Sequence, residues 1–170
     1  MNTQSNTGPH KVAEQIANNS TGWVGEVPGN KEHLVRGQTF VANEDGDLQA
    51  IKVFPNVIAG KSNVMMTIHN YDTQNHRWGQ AIGSVNLELH RNDAGKWVSF
   101  DIHGPHLNKG QSYGFRLDTK DSYIGVGEAC GSFKQPVFKT GREWQFTNNN
   151  PEGDSFSYFS LAFKVEVAAT

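Results

Sequence analysis

The chain has 170 residues, with 15 Lys and Arg against 17 Asp and Glu, for a formal charge of −2. That length suits one folded domain, or one domain with a tail. So balanced a charge supplies no basic field to hold nucleic acid or anionic lipid, and a single cysteine excludes an internal disulfide or a cysteine-rich zinc site. Hydrophobic residues make up 36% and charged residues 19%. The remainder is largely uncharged and polar, a composition associated with all-β extracellular or virion proteins.

The first residues have neither a basic region nor an apolar stretch, so they do not read as a signal peptide. No apolar run approaches the roughly 18 residues of a membrane span. After Pro9, Val12 with Ile16 and Ala13 with Ala17 share a face at i,i+4 spacing, which predicts a short helix over residues 10–18. Such a helix is too short to stand alone in water and must dock on the body or on a neighbour. Residues 21–29, with Trp23 and three glycines, read as an irregular connection. Residues 1–36 are therefore taken as an N-terminal tail or docking segment, helical or extended, and residues 37–170 as the main domain.

From Gly37 onward the pattern has period two. Val64, Met66 and Ile68 alternate with polar residues or Met65, and the same rhythm runs through Val85–Leu89, Val98–Ile102 and Tyr113–Leu117. Phe159, Leu161, Phe163, Val165 and Val167 form one long alternating series. Turn chemistry separates these runs at residues 44–47, 59–61, 92–95, 108–110 and 148–154. Short strands at this spacing predict an all-β, antiparallel jelly-roll β-sandwich. Its expected core includes Leu48, Ile51, Val64, Met66, Ile68, Leu87, Val98, Phe100, Tyr113, Phe115, Leu117, Leu161, Phe163 and Val165.

Gly37-Gln-Thr-Phe40, Gly46-Asp-Leu-Gln-Ala-Ile51, Trp97-Val-Ser-Phe100, Gly110-Gln-Ser-Tyr-Gly-Phe-Arg-Leu117 and Leu161-Ala-Phe163 recur in order. This series resembles the carbohydrate-binding-module-like jelly-roll domains of bacterial surface and secreted proteins, over about Gly37 to Val167. The resemblance implies a β-sandwich that binds carbohydrate or acts as an adhesive spacer. Its motifs are core and turn positions, so they speak to fold more than to activity.

The ligand-binding residues expected on chemical grounds are Tyr71, Asp72, Asn75, His76, Arg77 and Trp78. An aromatic plane matches the C–H face of a sugar ring, and neighbouring amides, acids and bases can bond its hydroxyls. The competing reading is that Trp78 starts a strand and packs on the rim. His69 alternates away from Ile68 and is expected on the solvent face, and Cys130, among small residues, is expected to be a buried inert thiol. The histidines complete no known ligand spacing, so no metal is assigned. The oxygen-rich loops Asn43–Asp47 and Glu152–Asp154 suit structural calcium as the alternative to no cofactor. Asp101, Asp118, Asp121, Glu128 and Glu143 are scattered, and no pair is assigned to glycoside hydrolysis.

The expected function is a non-enzymatic, lectin-like glycan-binding domain, extracellular or on a particle surface. The alternative is a structural subunit of a virion or surface fibre, in which residues 1–36 dock on a neighbouring subunit. Carbohydrate is the expected partner, with a homo-oligomer as the second option and no nucleic acid or membrane span.

Overall fold

The computed structural model describes residues 8–169. The first strands are β1 (His10–Gln15), β2 (Ser20–Glu26), β3 (His33–Val41), β4 (Gly46–Val53) and β5 (Pro55–Ile58). Next come β6 (Ser62–Asp72), β7 (Arg77–Leu89), β8 (Val98–Asp101), β9 (His106–Leu107) and β10 (Ser112–Thr119). The chain ends with β11 (Tyr123–Cys130), β12 (Glu143–Thr147), β13 (Asn150–Phe156), β14 (Phe159–Leu161) and β15 (Phe163–Val167). One sheet runs β1-β15-β4-β8, with β9 on β4; the other runs β14-β11-β2-β3-β10-β6-β7, with β5 on β11 and β12–β13 on β3. The strand pairs are antiparallel, and the protein is an all-β sandwich. Among the described residues no helix is long and apolar enough to cross a membrane.

Alternation sends one side chain in two to the space between the sheets. Ile51, Phe100, Phe163 and Val165 enter from the first sheet; Phe40, Met66, Ile68, Tyr113, Phe115 and Leu117 enter from the second. Phe163 lies 5.7 Å from Phe115 and 6.1 Å from Phe40, ring centre to ring centre, and so joins the two layers. Of the core residues expected from alternation, only Leu87 stays partly exposed.

The N-terminal expectations are corrected. Residues 10–15 form strand β1, not a helix, along the edge of β15, with a register shift between Lys11 and Ala13. That irregularity lets adjacent Val12 and Ala13 both point inward, while Ile16, the supposed helical partner of Val12, is exposed. The backbone ladder offered by β15 outweighs local propensity. Residues 20–26, expected to be irregular, form β2 against β11, and Val12 and Val24 are fully buried. Strand β3 runs through residue 36, and residues 10–15 and 20–26 pair within the sandwich, while residues 1–7 of the expected docking segment lie outside the described residues.

The C-terminal series is also not one strand. The chain leaves the second sheet after Leu161 and enters the first at Phe163. Crossing the core exposes backbone polar groups, which must find partners. The Ala162 N–H donates to Gly127 O at 2.9 Å. The Gln38 side chain accepts from Leu161 N–H at 2.9 Å, and the Gln15 amide donates to Leu161 O at 3.1 Å. The expected turn at 148–154 is shorter, because residues 150–156 form edge strand β13, where Pro151 is tolerated.

A charged cluster is buried beside this core. Arg36 of β3 pairs with Glu143 of β12 at 2.7 Å, donates to Gln145 at 3.0 Å and lies 3.9 Å from Glu128 of β11. Ser20 of β2 donates to Glu128 at 2.9 Å. Glu143 is fully buried. Burial pushes its carboxyl well above the ordinary value, and its hydrogen bond to Glu128 adds to the rise. Glu143 Oε1 and Glu128 Oε2 otherwise have no partner. One proton held by Glu143 and donated to Glu128 satisfies both atoms, leaving one net carboxylate against one guanidinium.

A raised carboxyl pKa in the folded state costs stability as pH rises above the ordinary value of 4.5 toward the folded one. Glu143→Gln, which is neutral and can still accept from Arg36, is expected to flatten that decline in chemical-denaturation curves measured across pH. Glu143→Ala leaves Arg36 and Glu128 each short of a hydrogen-bond partner and is expected to cost about 1–3 kcal/mol. Equal losses in the two variants would remove the shared proton.

Candidate functional site

The six expected residues all lie on the β6–β7 hairpin, whose turn spans residues 73–76. Asp72 accepts from Gln74 N–H at 3.0 Å, Asn75 N–H at 3.2 Å and the Asn75 amide at 2.8 Å. The Asn75 hydrogen bonds hold its exposed carboxyl below the usual range. Asp72 is thus committed to the turn, a role its spacing to Asn75 allows. His76 closes the turn at φ 53, in the left-handed region. Tyr71 and Trp78 are cross-strand partners. Asn75, His76 and Arg77 are exposed.

Trp78 is half-buried on the outer face of the larger sheet, and it is not an open platform. The leading edge of its indole rests on Gly114 of β10 and Gly37 of β3, where a side chain would collide with it. Its ring meets His69, Tyr71, Trp144 and Phe146 edge-on, with centres 5.5–5.9 Å apart. Trp144 stacks on Phe146 at 5.9 Å. The guanidinium of Arg116 lies over the Trp78 ring at 4.5 Å and over Phe146 at 3.9 Å. One face of Trp78 is therefore occupied by a cation, and its indole N–H is buried with no acceptor.

His69, expected to face solvent, is buried beneath this cluster. Nδ1 donates to Gly79 O at 3.0 Å, and Nε2 accepts from the Thr67 hydroxyl at 2.8 Å. Desolvation, with the positive charge of Arg116, lowers its pKa and keeps the ring neutral. Burial raises the phenol pKa of Tyr71, opposed by Arg142.

Beside the cluster lies a groove of about 520 Å³. One wall is Asn75, His76, Arg77 and Trp78; Arg116 lines it from β10, and Pro151 and Glu152 of the β12–β13 hairpin face them. On the other side of the turn, a hollow of about 190 Å³ is lined by Tyr71, Thr73, His76, Lys139 and Arg142, among others. The sequence shows the first hairpin as a cluster and Trp144 as a residue of core or platform, but not that Arg116, Phe146 and Glu152 join them. Two signals were present: Gly37 and Gly114 inside strands mark a close approach, and Trp144 and Phe146 alternate with Glu143 and Gln145.

Cys130 is exposed at the end of β11, not buried. In the loop Asn43–Asp47, Asp45 accepts from Lys109 N–H at 2.7 Å and Asp47 pairs with His106 at 2.7 Å. Among the described residues no group of three or more His, Cys, Asp or Glu could hold a metal ion. Of the scattered acids, Glu128 and Glu143 do meet, but in the interior with Arg36.

Gly114→Ala is expected to push Trp78 off the sheet and disorder the cluster, lowering stability by about 1–3 kcal/mol as overpacking does. Trp78→Ala should cost about 2–4 kcal/mol by leaving a void over two glycines. Equilibrium unfolding checks both. A Trp78→Ala protein as stable as wild type would return Trp78 to the role of free platform.

No family model matches the chain, and no curated protein matches it. Among solved structures, the structure of infectious bursal disease virus Gt strain contains a chain similar to this one, with 11% identity and a TM-score of 0.31. The similarity covers 95% of this chain and 37% of that one, so the protein spans little more than a third of that chain's length.

Proposed function

We propose that the protein is a non-catalytic glycan-binding domain, acting outside cells or on a particle surface, with its site in the groove between the β6–β7 and β12–β13 hairpins. The observation that carries this reading is the groove itself: polar side chains from both hairpins line it beside an indole edge. A ligand of many hydroxyls needs donors and acceptors of that kind, with limited apolar contact. Asn75 keeps its carbonyl oxygen free, His76 and Arg77 offer N–H groups, and Glu152 accepts. Trp78 then serves as a wall that fixes Arg116, in place of the stacking platform expected from sequence. An array of neutral and acidic glycans, followed by calorimetry on its hits, tests the reading. Arg77→Ala is expected to melt like wild type and to lose about tenfold in affinity. A blank array overturns the proposal.

A second reading, a subunit of a particle or fibre, is favoured by one surface feature. Phe133 is 79% exposed and packs 4.9 Å from Tyr158, beside half-buried Phe156 and Phe159. An aromatic patch of this kind suits contact between copies. Light scattering should then find an oligomer that Phe133→Ser dissociates; a monomer at all concentrations rejects it.

A further inference from the structure

We propose that the groove selects acidic saccharides, seating a carboxylate or sulfate substituent against Arg116 with help from Arg77. The inference rests on the glycan-binding reading above and adds the charge class of the ligand. Its starting point is the contrast between the two arginines that the sandwich removes from water. Arg36 is buried with Glu143 at 2.7 Å and Glu128 at 3.9 Å. Arg116 is half-buried, and among the described residues no carboxylate stands within ion-pair distance of it. Burial is the sole cause that lowers its pKa, as expected where no anion stands near. A desolvated cation without a counter-ion is expensive to keep. It persists where the compensating charge arrives with a ligand.

The geometry favours that outcome. Trp78 and Phe146 hold the guanidinium at 4.5 and 3.9 Å. Its Nε is buried without an acceptor, and the residue lines the groove. A guanidinium fixed by two rings loses little freedom on binding, and its planar fork matches the two oxygens of a carboxylate or sulfate. Arg77 lines the same groove, and Lys139 and Arg142 line the adjoining hollow. These cations gather on a chain whose formal charge is −2. Glu152, on the opposite hairpin, is the one acid of this lining. It repels an anion from its own side and so directs the substituent toward Arg116, leaving hydroxyls for Glu152 to accept from.

Calorimetry would compare a glucuronate-containing oligosaccharide, its carboxyl-reduced neutral counterpart and a sulfated counterpart, at low and high salt. Wild type is expected to prefer the acidic forms by about tenfold or more, with the margin shrinking in salt. The preferred anion distinguishes carboxylate from sulfate. Arg116→Gln should abolish the margin. Arg116→Lys, which keeps the charge and loses the fork, should reduce it, and serves where Arg116→Gln fails to fold. Exposed Arg77→Gln should lower it with an unchanged melting temperature. Equal affinity for acidic and neutral forms overturns the inference and leaves the glycan-binding reading intact. A preference that survives both Arg116→Lys and Arg77→Gln unreduced also overturns it. No binding to any form, together with a blank neutral array, overturns both.

Discussion

The buried hydrogen bond from Arg36 to Glu143 is the contact on which the outer face depends. Strand residues alternate, so sending Arg36, Glu143 and Gln145 inward sends Gly37, Trp144 and Phe146 outward. A slip of one residue between β3 and β12 would bury two aromatics in a polar pocket and expose the charges. The pair therefore acts less as glue than as a register lock. Burying Arg36 is costly, and breaking the contact leaves its guanidinium short of a partner. Glu128 and Ser20 extend the lock to β11 and β2, so four strands agree on one alignment.

The outer face inherits its shape from that alignment. Gly37 and Gly114 sit in adjacent strands and leave a shallow trough. Trp78 reaches into it from β7 and carries Arg116 with it. Aromatic side chains on two strands, β7 and β12, thus fix the position of one guanidinium. Rigid elements hold such a group better than a loop would. The hairpin turn adds the adaptable part, with Asp72 spent on the turn so that His76 and Arg77 stand clear.

How much of this was legible in the sequence varied with the range of the interaction. Strands with one wet and one dry face declared themselves through alternation, as at Tyr113-Gly-Phe-Arg-Leu117. Segment 10–18 misled, because Val12 and Ile16 have helical spacing while the partner that makes it a strand, β15, is the last strand of the chain. The change of sheet at Ala162 was invisible, since alternation continues on both sides of it. The hairpin of the site was readable as a local cluster of polar and aromatic residues. Its partners were not, because Arg116, Phe146 and Glu152 come from strands distant in sequence. The meeting of Glu128 and Glu143 was hidden for the same reason.

The pairing of β1 with β15 bears on how the protein folds. Nearly the whole described chain separates these two strands, and Val12 and Val165 lie in the same core. Closing so long a loop precedes the reward of the contacts it brings, so this topology folds slowly compared with helical domains of equal length. During synthesis β1 waits, with Val12 uncovered, until β15 far downstream is made. Pairing of β1 with β15 is thus a late step of assembly, and the nascent edge is a place where a chaperone has something to protect.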